Sequence, residues 1–262
     1  MQITRRAIPI DGAEIHVEER GSGEPLLLLH GLMGTGRDWQ HAFDLDALAA
    51  RHRVIVPDAR GHGRSTNPAG AFTFGRCASD VLALLDALGV GKARAVGLSL
   101  GAETLLHVAT REPARLIAMV VVSATPCLPE ATRALFRSVA AAEHTADDWT
   151  AMRAMHERGD EAIRALWALP RRFADDPADM TFTAERLAAV RAETLIVSGD
   201  RDPFYPVELA VELYRGIPGA SLWVVPGGGH GPIFLAQREA FVRAAEPFMS
   251  AEATAFGKGG RA

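Results

Sequence analysis

Four consecutive leucines, Leu26-Leu27-Leu28-Leu29, set the first constraint on the fold. A strand with one wet face alternates apolar and polar residues; an unbroken apolar run is covered on both faces, as in a parallel sheet with helices on either side. Runs of the same kind return at 54–56, 94–98, 116–123 and 194–199. Helical patterns separate them, at about 39–50, at 73–88, where Val81, Leu84, Leu85 and Leu88 recur at helical spacing before Gly89, and at 100–111, ending ahead of Pro113. Parallel neighbours need crossover connections, so this alternation predicts an α/β chain on a mostly parallel, doubly wound sheet. Upstream, 8–10 and 14–18 flank Asp11-Gly12 and read as a β-hairpin, closed by Gly21-Ser22-Gly23.

The alternation breaks between about 126 and 185. That stretch holds no strand pattern, helical patterns at 131–143, 146–158 and 161–169, and loop signals at Pro170 and Asp175-Asp176-Pro177. It reads as a helical insertion, with seven arginines against eleven carboxylates. Solvated outer helix faces account for that charge. The alternation then resumes with a strand at 194–199, a helix at 207–217, a strand at 221–225 and a last helix at 234–249, which Pro247 is expected to disturb near its end. The expected organisation is a core of 1–125 and 186–262 interrupted by an insertion at 126–185, with an unstructured tail after Met249.

Composition removes several classes of function. A formal charge of −4 and a pI near 6.1 leave no basic footprint for nucleic acid. Lysine occurs only at Lys92 and Lys258, so the positive charge is almost wholly arginine. No apolar run reaches the roughly 18 residues of a membrane span, and the N-terminus has no signal-peptide core. Cys77 and Cys127 lie far apart in no metal-ligand or redox spacing. The expectation is a reduced, cytoplasmic protein with neither a membrane nor a nucleic-acid partner.

The chemistry is expected where the 94–98 strand meets the 100–111 helix, at Gly97-Leu98-Ser99-Leu100-Gly101. Gly-x-Ser-x-Gly fits a sharp strand-to-helix turn that projects the serine hydroxyl clear of the sheet. A neutral hydroxyl is a weak nucleophile, so Ser99 needs a histidine base and a third group to orient it. Of nine histidines, His230 sits just past the last strand, in Pro226-Gly227-Gly228-Gly229-His230-Gly231-Pro232, at the strand ends where open parallel sheets bind ligands. The third member should be a carboxylate in the loop after Gly199, which offers Asp200 and Asp202; either can also serve as a turn residue. Leu100, directly after the nucleophile at a helix start, should present its N–H to a developing oxyanion.

Nearly the whole chain resembles an α/β-hydrolase. The resemblance is carried by His30-Gly31 after an early strand, Gly61-His62-Gly63-Arg64-Ser65 after the next, the Ser99 elbow, the Gly-x-x-Asp-x-x-x-Pro loop from Gly199 to Pro206, the late Gly-Gly-His and the order serine, aspartate, histidine. It implies Asp202 as the acid and Leu32 as the second oxyanion N–H, with Met33 as the fallback. It further implies a cofactor-independent serine hydrolase acting on a small ester-like molecule under a helical cap. Trp149, Trp167 and Phe204 are candidate lining residues. His30 and His62 read as structural loop histidines, and His107 as a core histidine behind the nucleophile. Glu103 is the odd residue, a carboxylate one helical turn from Ser99 where the resemblance leads one to expect a small or neutral side chain. Two alternatives stand beside ester hydrolysis. One is another reaction of this fold, such as carbon–carbon bond hydrolysis, lactone opening or peracid formation, against which His30-Gly31-Leu32-Met33-Gly34 departs from the His-Gly-x-Gly-Pro of carbon–carbon hydrolases. The other is a ligand sensor that retains the triad.

Overall fold

The computed structural model describes residues 2–250; the tail predicted after Met249 lies, apart from Ser250, outside them. Strands β1 (Ile3–Ile10) and β2 (Ala13–Arg20) form the predicted hairpin, turning through Asp11 and Gly12, both at positive φ. Next come β3 (Glu24–Leu29), short helices α1 (Trp39–Ala42) and α2 (Leu45–Ala49), β4 (His52–Pro57), α3 (Phe74–Ala87), β5 (Ala93–Leu98), α4 (Leu100–Arg111) and β6 (Leu116–Val122). Helices α5 (Glu130–Ala141), α6 (Ala146–Met155), α7 (Asp160–Trp167), α8 (Leu169–Asp175) and α9 (Ala184–Ala188) follow without an intervening strand. The chain closes with β7 (Glu193–Gly199), α10 (Val207–Gly216), β8 (Ser221–Val225) and α11 (Arg238–Met249).

The eight strands form one sheet in the order β1-β2-β4-β3-β5-β6-β7-β8. Only the β1–β2 and β2–β4 pairs are antiparallel; the other five are parallel. The leucine run shows why. Leu27 and Leu29 enter the apolar layer shared with Leu84 and Leu105 of α3 and α4, while Leu26 and Leu28 enter the opposite layer with Trp39, Phe43 and Phe241. Both faces are dry, and each fully buried leucine contributes roughly 1.5–3 kcal/mol. A third apolar cluster joins Leu100 to Leu128, Phe136, Met152, Leu166 and Phe173, and so seats the cap helices over the carboxyl ends of the strands.

The helix expected over 39–50 is two helices. Phe43 is extended, and the Asp44 carboxylate caps α2 by accepting from Asp46 N–H (3.1 Å) and Ala47 N–H (3.0 Å). The apolar period hid the break because Trp39, Ala42, Phe43, Leu45 and Leu48 are all buried on either side of it. The helix expected from 234 begins at Arg238, since Leu235 has a φ of 53°. Pro247 lies inside α11, which continues to Met249. Pro170 opens α8 rather than ending structure, because the first turn of a helix has no use for its missing N–H. The boundary expected at 185/186 falls within α9. Among the described residues no helix is long and apolar enough to cross a membrane.

Candidate active site

Ser99 stands between β5 and α4 at φ 49°, ψ −109°. A non-glycine residue there carries of order 1–3 kcal/mol of strain and persists only where its surroundings fix it. They do so here: Ser99 N–H donates to Val122 O on β6 (2.8 Å), and Ser99 O accepts from Glu103 N–H (2.9 Å). The flanking glycines are steric requirements. A Cβ on Gly97 would lie 2.5 Å from the Gly101 carbonyl, and one on Gly101 would lie 2.1 Å from Leu29 O. The hydroxyl is not used to cap α4.

That oxygen lies 2.9 Å from His230 Nε2, and His230 Nδ1 lies 2.8 Å from Asp202 Oδ2. The carboxylate side chain is fully buried, and its other oxygen accepts from Phe204 N–H (2.9 Å) and Tyr205 N–H (3.1 Å). A carboxylate can only accept, so Nδ1 carries the ring proton and Nε2 is left to accept from Ser99. Asp200 is exposed, its N–H held by Val225 O, whereas Asp202 turns inward. The two loops meet through Gly199, where a Cβ would lie 2.2 Å from Gly228 O. The structure therefore brings Ser99, Asp202 and His230 together and leaves Asp200 outside.

Two residues at this junction carry no sequence motif. Ser123, 1% exposed at the end of β6, has a φ of 51°, and its Oγ accepts from the N–H of Gly231 (3.0 Å). Tyr205 packs edge-on to the His230 ring at 5.3 Å, beside Phe204 at 5.0 Å. Burial pushes the Tyr205 phenol well above its ordinary range, the neighbouring acidic side chains of Glu103 and Asp202 add to this, and a side-chain hydrogen bond with Ser99 opposes it. Position in a turn and at a strand end is all the sequence offers for either residue.

Glu103 is completely buried. One oxygen accepts from Thr125 N–H (2.8 Å), and the other has no hydrogen-bond partner among the described residues. Burial pushes its carboxyl well above the usual range, partly countered by the Thr125 bond. His107 is buried with Nε2 donating to Asp179 O (2.7 Å) and its ring on Phe182, as a core histidine should be.

The loop after β3 is held by histidine as well. His30 Nε2 accepts from Ala59 N–H (2.9 Å), so its Nδ1–H donates to Gly31 O (2.8 Å). Gly34 N–H reaches the same carbonyl (3.1 Å), and Met33 sits at φ 61°. Leu32 lines an open cavity of about 610 Å³ together with Gly31, Leu98, Phe234 and Leu235. His62 is fully buried in the tight turn that follows β4, its N–H bonded to Ala59 O (2.9 Å). Of the candidate lining residues, Phe204 touches His230. Trp149 and Trp167 pack edge to face on one another at 4.5 Å, and His144 stacks on Trp167 at 3.5 Å. Among the described residues no cluster of His, Cys, Asp and Glu is grouped to hold a metal ion.

Residues 26–244 match the model of the alpha/beta hydrolase family. The chain is 30% identical over 248 residues to RutD of Azorhizobium caulinodans, to which a carbamate hydrolase activity is ascribed, covering 83% of this chain and 88% of that one. It is 27% identical over 266 residues to a 2-hydroxymuconate semialdehyde hydrolase of Pseudomonas putida, covering 94% of each. Among solved structures, a hydrolase from Pseudomonas aeruginosa PA01 superposes with a TM-score of 0.75 at 27% identity, over 95% of this chain and 98% of that one.

Proposed function

Because this chain belongs to the alpha/beta hydrolase family, we propose that it is a serine hydrolase that works through an acyl-enzyme on Ser99. The observation that carries this reading is the unbroken path Asp202 Oδ2–His230–Ser99 Oγ, with contacts of 2.8 and 2.9 Å. In acylation Ser99 Oγ attacks the substrate carbonyl as its proton passes to His230 Nε2, and buried Asp202 stabilises the imidazolium that forms. The proton then goes to the leaving group as it departs. Water, deprotonated by the same nitrogen, attacks the acyl-enzyme and returns Ser99 to its starting state. The N–H groups of Leu32 and Leu100 take the oxyanion in both steps, and removing one such donor typically costs about 10²–10³ in rate.

The acyl group of this reading is small and uncharged, and it meets Phe204 at the His230 ring and the apolar wall of Leu32, Leu98 and Phe234. We assign Trp149 and Trp167 to packing within the cap. A carboxylic ester is the simplest substrate for this machinery. The likeness to the 2-hydroxymuconate semialdehyde hydrolase favours a second reading, cleavage of a carbon–carbon bond next to a carbonyl, in which the leaving group is a carbon that must be protonated. Turnover of p-nitrophenyl acetate and butyrate, of a phenyl carbamate and of a 2-hydroxy-6-oxo-dienoate, each with the parent and Ser99→Ala, decides between them. The serine-hydrolase reading expects Ser99→Ala to abolish turnover of whichever substrate is cleaved. Turnover that survives in the variant overturns it, as does stoichiometric binding without turnover by the parent.

A further inference from the structure

One cap side chain bonds the backbone of the loop after β3 directly. His156, which ends α6, is 2% exposed. Its Nδ1 accepts from Gly63 N–H (2.8 Å); a backbone N–H can only donate, so in the neutral ring the proton sits on Nε2, which donates to Met33 O (3.1 Å). The neighbouring residues seat this corner firmly. Glu157 N–H donates to Gly63 O (3.0 Å), the Glu157 carboxylate pairs with Arg37 (2.8 Å) and Arg64 (2.9 Å), and Arg158 Nε donates to Arg64 O (2.8 Å).

Followed through the backbone, the Met33 contact leads to the oxyanion donor. The carbonyl of Met33 shares a peptide unit with the N–H of Gly34, which donates to Gly31 O (3.1 Å). The carbonyl of Gly31 shares a peptide unit with the N–H of Leu32. In a trans peptide C=O and N–H point in opposite directions, so a bond that fixes one fixes the other. Hydrogen bonds linked in this way also polarise one another. His30 holds Gly31 O from the core side, while His156 fixes the preceding link from the cap, around a Met33 whose φ of 61° needs outside support.

We propose that His156 is a positioning residue that orients and polarises the Leu32 N–H through the Met33–Gly34 and Gly31–Leu32 peptides, so that the seating of the cap sets the strength of the oxyanion hole. This rests on the reading of Leu32 as an oxyanion donor. The two bonds of His156 can be separated by substitution. Glutamine places its amide nitrogen near the position of Nε2 and keeps a donor for Met33 O; asparagine places its amide oxygen near Nδ1 and keeps an acceptor for Gly63 N–H.

The test compares His156→Gln and His156→Asn by steady-state hydrolysis of p-nitrophenyl acetate, by thermal unfolding and by the rate at which an alkyl fluorophosphonate modifies Ser99. Phosphonylation also places an oxygen in the oxyanion hole, so this last readout survives if the physiological substrate is not an ester. For His156→Asn, kcat and kcat/KM should fall together by about tenfold, a fraction of the ~10²–10³ lost with a whole donor, and phosphonylation should slow in step. His156→Gln should keep most of the parent rate. The proposal is overturned if the two variants slow equally, if His156→Gln is the slower, or if neither slows. Failure of the parent to be phosphonylated at Ser99 would instead sink the serine-hydrolase reading.

Discussion

The hydroxyl of Ser123 accepts a hydrogen bond from the N–H of Gly231, the residue that follows His230, at 3.0 Å. Two serines at the ends of adjacent strands, both at positive φ, therefore face the same loop: Ser99 meets the imidazole and Ser123 the backbone beside it. Ser123→Ala should leave the half-buried Gly231 N–H without its acceptor, costing about 1 kcal/mol of stability. The loop would lose its registration over Ser99, and kcat should fall more than KM changes. Urea unfolding alongside steady-state kinetics checks both effects, and a variant matching the parent in both would remove Ser123 from the site.

Asp202 and Asp200 give a paired prediction. Asp202→Asn exchanges the fully buried acceptor at His230 Nδ1 for an amide and favours the wrong ring tautomer, which should lower kcat by about 10⁴. Asp200→Asn, at an exposed position, should leave kcat within about twofold of the parent, as surface changes away from special features usually do. Equal losses in the two variants would mean that the acid has been assigned wrongly.

Glu103 gives a pH prediction of definite sign. Its folded carboxyl titrates well above 4.5 because of burial, so the folded chain holds this proton more tightly than the unfolded one. The group's contribution is intact below the unfolded value and is lost as pH rises toward the folded value. Glu103→Gln carries no such titration. Relative to the parent, it should gain stability as pH is raised from about 4.5 upward, by up to about 1.4 kcal/mol per pH unit within that window. Denaturant titrations across the range test it, and parallel stability curves for the two proteins would contradict a raised Glu103 carboxyl.

The histidines at the cap–core joint have the opposite dependence. Burial lowers the pKa of His156 and, much further, of His62, the rings of His30 and His62 lying 5.2 Å apart and those of His62 and His156 6.0 Å. The bond to Met33 O and the carboxylates of Asp58 and Asp38 oppose the shift at His156, while His30 adds to it. Stability from neutral histidines is whole above the unfolded value near 6.5 and is lost as pH falls from there toward the lowered folded values. From about pH 7.5 to about pH 5.5 the parent should therefore lose more stability than His156→Gln. Chemical unfolding at the two pH values measures the difference; an equal loss would show that His156 does not titrate in this window.

The sheet was legible because a strand buried on both faces writes its burial directly into sequence, as Leu26–Leu29 do. The break at Phe43-Asp44 was not, because burial continues across it while the backbone changes course. Ser99 and His230 were legible as motif residues at strand ends, and the resemblance favoured Asp202. The residues alone left Asp200 open, since the choice turns on which side chain points inward once Gly199 packs on Gly228. Ser123, Tyr205 and His156 act through partners distant in the chain, Met33 lying 123 residues from His156 and Gly231 108 from Ser123. No local pattern encodes such contacts; they arise when the loops converge.

The most direct test of a nucleophilic Ser99 is the intact-protein mass after exposure to an alkyl fluorophosphonate. A nucleophilic Ser99 should give a single adduct, mapped by digestion to the peptide bearing Ser99 and absent from Ser99→Ala. A folded parent that gains no adduct, or a Ser99→Ala protein modified just as readily, would contradict it.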